Sequence, residues 1–312
     1  MTVPRLLVGV VVAAAVATAA LVLINRDPEP TASAASHVAI APGATSRGAG
    51  ANVAGTSMTA QQAADAAIED GKRPDLVPLP ESAFNGPIAR YRVYAVGEAR
   101  ALRRAATALQ RAQRGGAAAT RRAGARAAWG SAFDHWLLMG AAYGALGDLD
   151  SSLTSALARL ERDPLNRSAA RSLAAGARKL PAAVRKAELA PVDYAIRAHE
   201  ILEDVQRDRM ADPAGVRATA DGVAATRTVI GTLHDLLAGR GDALQTVDTR
   251  LTQLEATLRE IRHAHGAWPA PAALRDSEHQ RLLGQLGAAL EALANVPGAL
   301  ETTLPPKIPA LR

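Results

Sequence analysis

From Phe84 onward the chain repeats its apolar residues at a spacing of three and four, and most of those positions are alanine or leucine. Tyr91, Tyr94, Leu102, Ala105, Ala106 and Leu109 set the pattern, which holds as far as Gly115-Gly116. That period draws one apolar stripe along an α-helix and none along a strand. Aromatics are only 3% of the residues against 48% hydrophobic overall. A core filled by such small side chains suits closely packed helices and gives a half-buried sheet little to pack with. The fold class read from this is all-α, an antiparallel helical bundle.

Proline, glycine and capping residues divide the helical region. A second helix is expected from about Ala117 to Leu146, carrying Trp129, Phe133, Trp136 and Leu137. Asp148 caps a third that runs to Leu160, Asp163-Pro164 breaks it, and Asn166 starts a fourth that continues towards Leu180-Pro181. Further helices are read at about 182–188, 191–210, 214–238, 242–264 and 276–294, with stops at Asp212-Pro213, Gly239-Arg240-Gly241 and Pro269-Ala270-Pro271. Short connections between long amphipathic helices make sequential neighbours antiparallel. The helical domain is therefore 86–297, followed by a proline-rich tail at 298–312 whose Pro305, Pro306 and Pro309 stop any helix.

The region before it is of another kind. Leu6–Ile24 is nineteen residues without a charge, and as a helix it reaches ~28 Å, close to the hydrocarbon thickness of a bilayer. Arg5 and the amino terminus make its leading flank positive, so the chain beyond it is expected outside the cytoplasmic membrane. Residues 1–25 are read as a retained signal anchor. The alternative is a signal peptide cleaved near Ala32-Ser33-Ala34, which leaves a secreted or periplasmic protein. Residues 26–85, rich in Ala, Gly, Ser, Thr and Pro, read as a low-complexity linker in which Thr59–Asp70 has room for one or two helical turns.

Charge and cysteine usage exclude several classes. With no cysteine there is no disulfide, no thiolate metal site and no lipidated cysteine. The formal charge is +6, and lysine occurs only at 72, 179, 186 and 307. The arginines are interspersed with carboxylates and stacking aromatics are scarce, which argues against nucleic acid as a partner. A glycine-rich phosphate loop, a nucleophile elbow and a cysteine nucleophile are all missing, so the chain is not read as an enzyme.

Two stretches carry what chemistry there is. In Arg197-Ala-His199-Glu200-Ile-Leu-Glu203-Asp204, His199 and Glu203 lie four apart on one helix face, with Glu200 and Asp204 as a second such pair. An imidazole with carboxylates suits Zn²⁺, Mn²⁺ or iron. The alternative is a face laced by ion pairs, with Glu203 placed to reach Arg207 and Arg197 to reach Glu200. In Gly140-Ala-Ala-Tyr143-Gly-Ala-Leu-Gly147-Asp148-Leu-Asp150, the two aspartates cap the next helix or add oxygen donors to a site. His263 and His265 point apart and sit near a helix end, against its carbonyl dipole. His37, Asp134-His135, His234 and His279 read as isolated surface or boundary residues.

Tyr91-Arg-Val-Tyr94, the segment Trp129 to Asp150, and Ala198-His199-Glu200-Ile201-Leu202-Glu203 together resemble the imelysin-like domain of the EfeO/EfeM iron-uptake family, from about Pro78 to about Pro297. The resemblance implies a helical bundle outside the cytoplasm and a role as an accessory component of an iron-uptake system. The implied partners are an iron permease and a haem peroxidase-like protein, and the implied cargo is iron, held weakly or not at all. The family's Gly-x-His-x-x-Glu motif falls on Ala156 to Glu161, with Ala158 at the histidine position, and Leu137 stands where a carboxylate is common. The family's cupredoxin-like domain has no counterpart in 26–85. The resemblance leaves Glu161, His199 and Glu203 as metal ligands, with Asp148 and Asp150 as further donors. The alternative function is a non-metal-binding helical scaffold of the cell envelope.

Overall fold

In a computed structural model the described residues are 79–300, and all regular structure among them is helical. Leu6–Ile24, the linker up to residue 78 and the tail from 301 lie outside them, as do the anchor, the turns at Thr59–Asp70 and His37. Eight long helices follow one another: α1 (Asn85–Ala112), α2 (Ala118–Leu137), α3 (Asp148–Arg162), α4 (Arg167–Lys186), α5 (Pro191–Asp208), α6 (Gly215–Leu237), α7 (Ala243–His265) and α8 (Asp276–Leu293). A short α9 (Asn295–Ala299) and a 3-10 turn at Gly140–Ala142 complete the part that matters for the site.

Helix α1 packs against α2 on one side and α4 on the other, with α6 behind it. It runs antiparallel to α4. Arg92 donates to the Ala187 carbonyl at 3.1 Å near one end, and Gln113 donates to the Pro164 carbonyl at 2.9 Å near the other. The pairs α3–α4, α5–α6, α6–α7 and α7–α8 extend the assembly, and α9 closes onto α5 and α7. The core is what the period of three and four requires: Ala95, Ala99, Leu102, Ala106 and Leu109 of α1 are all buried. The few aromatics concentrate where α1, α2, α5 and the loop after α2 meet. The Tyr91 and Tyr194 rings are 5.4 Å apart, Trp129 and Phe133 5.2 Å, and Trp136 and Tyr143 4.9 Å.

Two boundaries differ from the sequence reading. Helix α2 ends at Leu137 rather than near Leu146: the chain tightens there, with the Met139, Ala142 and Tyr143 N–H groups donating to the carbonyls three residues back, and those carbonyls accept from side chains as well. Tyr143 Oη donates to the Trp136 carbonyl at 2.6 Å, Tyr91 Oη to that of Met139 at 2.8 Å, and Arg197 to that of Gly140 at 2.8 Å. Gly144 and Gly147 then turn the chain at positive φ. Helix α4 runs through Pro181 to Lys186, which absorbs the separate helix expected at 182–188. Leu180, Pro181 and Val184 are all buried on the side that packs the core, and that burial outweighs one lost backbone hydrogen bond. Asn166 caps α4 as expected, its Oδ1 accepting from the Ala169 N–H at 3.0 Å.

Candidate functional site

Residues from 136–144 and the start of α3 face α5, from Arg197 onward, across an open cleft of about 540 Å³. Trp136, Tyr143 and Asp150 line one side and Arg197, Asp204 and Arg209 the other. The arginines on this wall are held in place. Arg197 donates to Glu200 at 2.5 Å, to Asp204 at 3.3 Å and to the Gly140 carbonyl, and its guanidinium lies 6.0 Å from the centre of the Tyr143 ring. Arg207 takes the other Asp204 oxygen at 2.6 Å and also grips Asp208. Arg209 pairs with Asp212 at 3.3 Å and covers the Phe133 ring. Of the two uses the sequence allowed for α5, ion pairing takes Glu200 and Asp204.

The residues read as metal ligands are spread out. His199 Nδ1 and Glu203 Oε2 do approach, at 3.4 Å, as their i,i+4 spacing requires. Asp150 lies in the first turn of α3, where its Oδ2 accepts from the Gly144 N–H at 2.9 Å and ties the glycine loop to the helix. Asp148 is the first residue of the same helix and is exposed; Gly147 holds the cap position and no side chain bonds there, so Asp148 is not the cap that the sequence reading expects. Glu161 sits at the far end of α3, about 16 Å along the axis from Asp150 at 1.5 Å per residue, so the two cannot share an ion. Its Oε1 accepts from the Ala214 N–H at 3.2 Å, and burial, with Asp212 nearby, raises its pKa. Among the described residues no three His, Asp or Glu side chains are arranged to hold a metal ion. The donor set does not fit iron as one site.

A second polar cluster went unread in the sequence. Asp134 and His135 are not isolated boundary residues: each has a half-buried partner. Asp134 forms a two-point pair with Arg217 of α6, both contacts at 2.5 Å, and His135 Nδ1 meets Glu98 Oε2 of α1 at 2.7 Å. Gly130, one turn before Asp134, makes room for the arginine, since a Cβ there would lie 2.5 Å from Arg217 Nη1. Asp221, one turn beyond Arg217, faces Asp134 as well. Burial, and then the Asp134 charge, push its carboxyl up to about 8, while Arg217 pulls the other way. One oxygen of Asp221 is buried without a hydrogen-bond partner. Asp134 and Asp221 thus form an acid pair that flanks a single guanidinium, and the raised pKa of Asp221 favours a proton held within that pair. The signal available in sequence was only an i,i+4 Arg217–Asp221 spacing on an apolar helix, and nothing there points to Asp134.

The other histidines serve locally. His265 Nε2 meets Glu278 at 3.1 Å across the α7–α8 turn, and His263 and Arg262 share that last turn of α7, as the dipole argument expects. No family model matches the chain, and no curated protein matches it either.

Proposed function

We propose that the chain is an extracytoplasmic helical scaffold of the cell envelope, held to the membrane by Leu6–Ile24 and built on an imelysin-like bundle in which arginines take the carboxylates Glu200 and Asp204 beside His199. The observation that carries this reading is the place of Arg197. A guanidinium lies between Glu200, Asp204 and the Gly140 carbonyl, where a cation-binding site would need free oxygen donors. The reading contains no catalytic step. Its support for the membrane is the charge-free run and its positive leading flank.

A second reading keeps iron, with delivery beside a permease and a haem peroxidase-like protein. It is favoured by the 3.4 Å approach of His199 to Glu203 on a half-exposed face of α5. Calorimetric titration with ferrous and ferric iron separates the two. The scaffold reading expects no stoichiometric binding to the parent chain, and none that changes on His199→Ala or Glu203→Ala. Tight binding lost in both variants establishes the iron reading and removes the scaffold. Membrane attachment is tested by fractionation. A mature chain that is fully soluble and begins near Ala35 replaces the anchor by a cleaved signal.

A further inference from the structure

The modest net charge of the chain hides two opposite halves. Between residues 85 and 186, the span of α1 to α4, there are 18 arginines and lysines against 6 aspartates and glutamates. Between 187 and 300 the balance reverses, to 11 against 16. The arginines also behave differently in the two spans. In the later one Arg197, Arg207, Arg209, Arg227, Arg275 and Arg281 are all paired with carboxylates. In the earlier one, Arg122 to Asp163 at 3.7 Å is the single arginine–carboxylate pair among the described residues. The interspersed charges read from the sequence hold only for the second half.

The unpaired cations lie in rows. At 100° per residue Arg100, Arg104 and Arg111 fall within about 40° of one another on α1, and Arg171, Arg178 and Arg185 within about 40° on α4. All six are exposed. The antiparallel register set by Arg92 to Ala187 and Gln113 to Pro164 puts Arg100 near the level of Arg178, and Arg111 near that of Arg171. Two adjacent helices thus carry cationic rows side by side for some 16 Å.

We propose that the α1–α4 face is a docking surface for an anionic phospholipid bilayer. The choice of occupant rests on the membrane-anchor reading given above, and three observations bear on it. Guanidinium, which makes up nearly all of the charge, binds phosphate in two-point fashion. The nine aromatic side chains of the chain, needed to stack bases, all lie off these rows and six of them are buried. Finally, Leu6–Ile24 places a bilayer within reach: the 54 residues from Asn25 to the start of the described part span up to ~190 Å when extended, so they leave any face free to turn to the surface. Attachment in cis raises the effective concentration of that surface, and docking then needs only the electrostatic attraction of a few arginines. Large apolar side chains for insertion are not required, and this face offers only Val93.

The experiment uses the full chain reconstituted in vesicles. The sequence has no cysteine, so Thr107→Cys in the α1 row and Ser277→Cys on α8 each accept one donor fluorophore, with an acceptor on the lipid. In vesicles with about 30% phosphatidylglycerol, energy transfer from position 107 is expected to rise about threefold over pure phosphatidylcholine, and to fall back in ~0.5 M NaCl as the Debye length shrinks. Transfer from position 277 is expected to stay low in both. The variant Arg100→Glu/Arg104→Glu/Arg171→Glu/Arg178→Glu, altered only at exposed positions, is expected to lose the lipid dependence and keep its melting temperature. Co-flotation with neutral vesicles in high salt reports the anchor alone, so a failed anchor and a failed docking face are told apart. Equal transfer from both labels, no dependence on lipid charge, or an unchanged quadruple variant overturns the proposal. So does duplex DNA, if it displaces the domain from the vesicles at matched phosphate concentration, since the face then belongs to nucleic acid.

Discussion

Asp221 carries the clearest single-residue consequence. Its carboxyl is raised to about 8 in the folded chain against ~3.9 unfolded, so between those values the native state holds a proton that the unfolded state has released. Stability then falls as pH rises through that window, and the full penalty is present above about 8. Asp221→Asn, which still donates towards Asp134 without needing a proton, should be several kcal/mol more stable than the parent chain at pH 8 and almost unchanged at pH 4. Thermal melts of both proteins across that range check it, and parallel pH profiles contradict it. Gly130 is the second case. Alanine in a helix interior normally gains ~1 kcal/mol over glycine, but here its Cβ meets the guanidinium of Arg217. Displacing a cation from a paired, partly buried carboxylate costs about 3 kcal/mol or more. Gly130→Ala should therefore destabilise by about 2 kcal/mol, and a rise in melting temperature would show that Arg217 swings aside freely.

At the scale of elements, the loop between α2 and α3 is held by side chains from other helices, with Tyr91 from α1 and Arg197 from α5 each donating to one carbonyl of the segment 139–140. Arg197→Ala should cost about 1–2 kcal/mol, because it leaves Glu200 and the Gly140 carbonyl without this donor while Asp204 keeps Arg207. Adding Glu200→Gln should recover part of that loss. If the double variant is no more stable than the single one, the charge on Glu200 is not what Arg197 balances. The same variant bears on iron, since Arg197→Ala frees Glu200 and one oxygen of Asp204 beside His199, and any iron affinity it gains measures how far the guanidinium now excludes a metal. The ends of α2 and α4 were misplaced in sequence for one reason. Helix periodicity reports which residues face a core, whereas the point where a helix stops depends on side chains that hold the next turn in another shape and on packing that carries a helix through a proline, and both are decided by distant residues.

For the whole molecule, the hydrophobic cluster runs without a break from Phe84 to Leu300 and includes residues of every long helix. Residues 79–300 should therefore fold as one cooperative unit in the presence of chelator, with a strongly helical far-ultraviolet circular dichroism spectrum and a single melting transition. Loss of structure on chelation, or two separate transitions, would show that a metal or a second folding unit has been overlooked.

The sequence by itself determined the helical class, most helix positions, the Asn166 cap and the i,i+4 meeting of His199 with Glu203, because each of these depends on residues within a few positions of one another. Tertiary structure alone decided the rest. It carried the Glu161 carboxylate to the Ala214 N–H, and it brought Asp134 to Arg217 and Asp221 across 83 and 87 positions of chain. It also set the unpaired arginines of α1 beside those of α4. Charge counts say how many cations a chain has, but whether a cation is neutralised depends on which carboxylate the fold puts within about 4 Å of it.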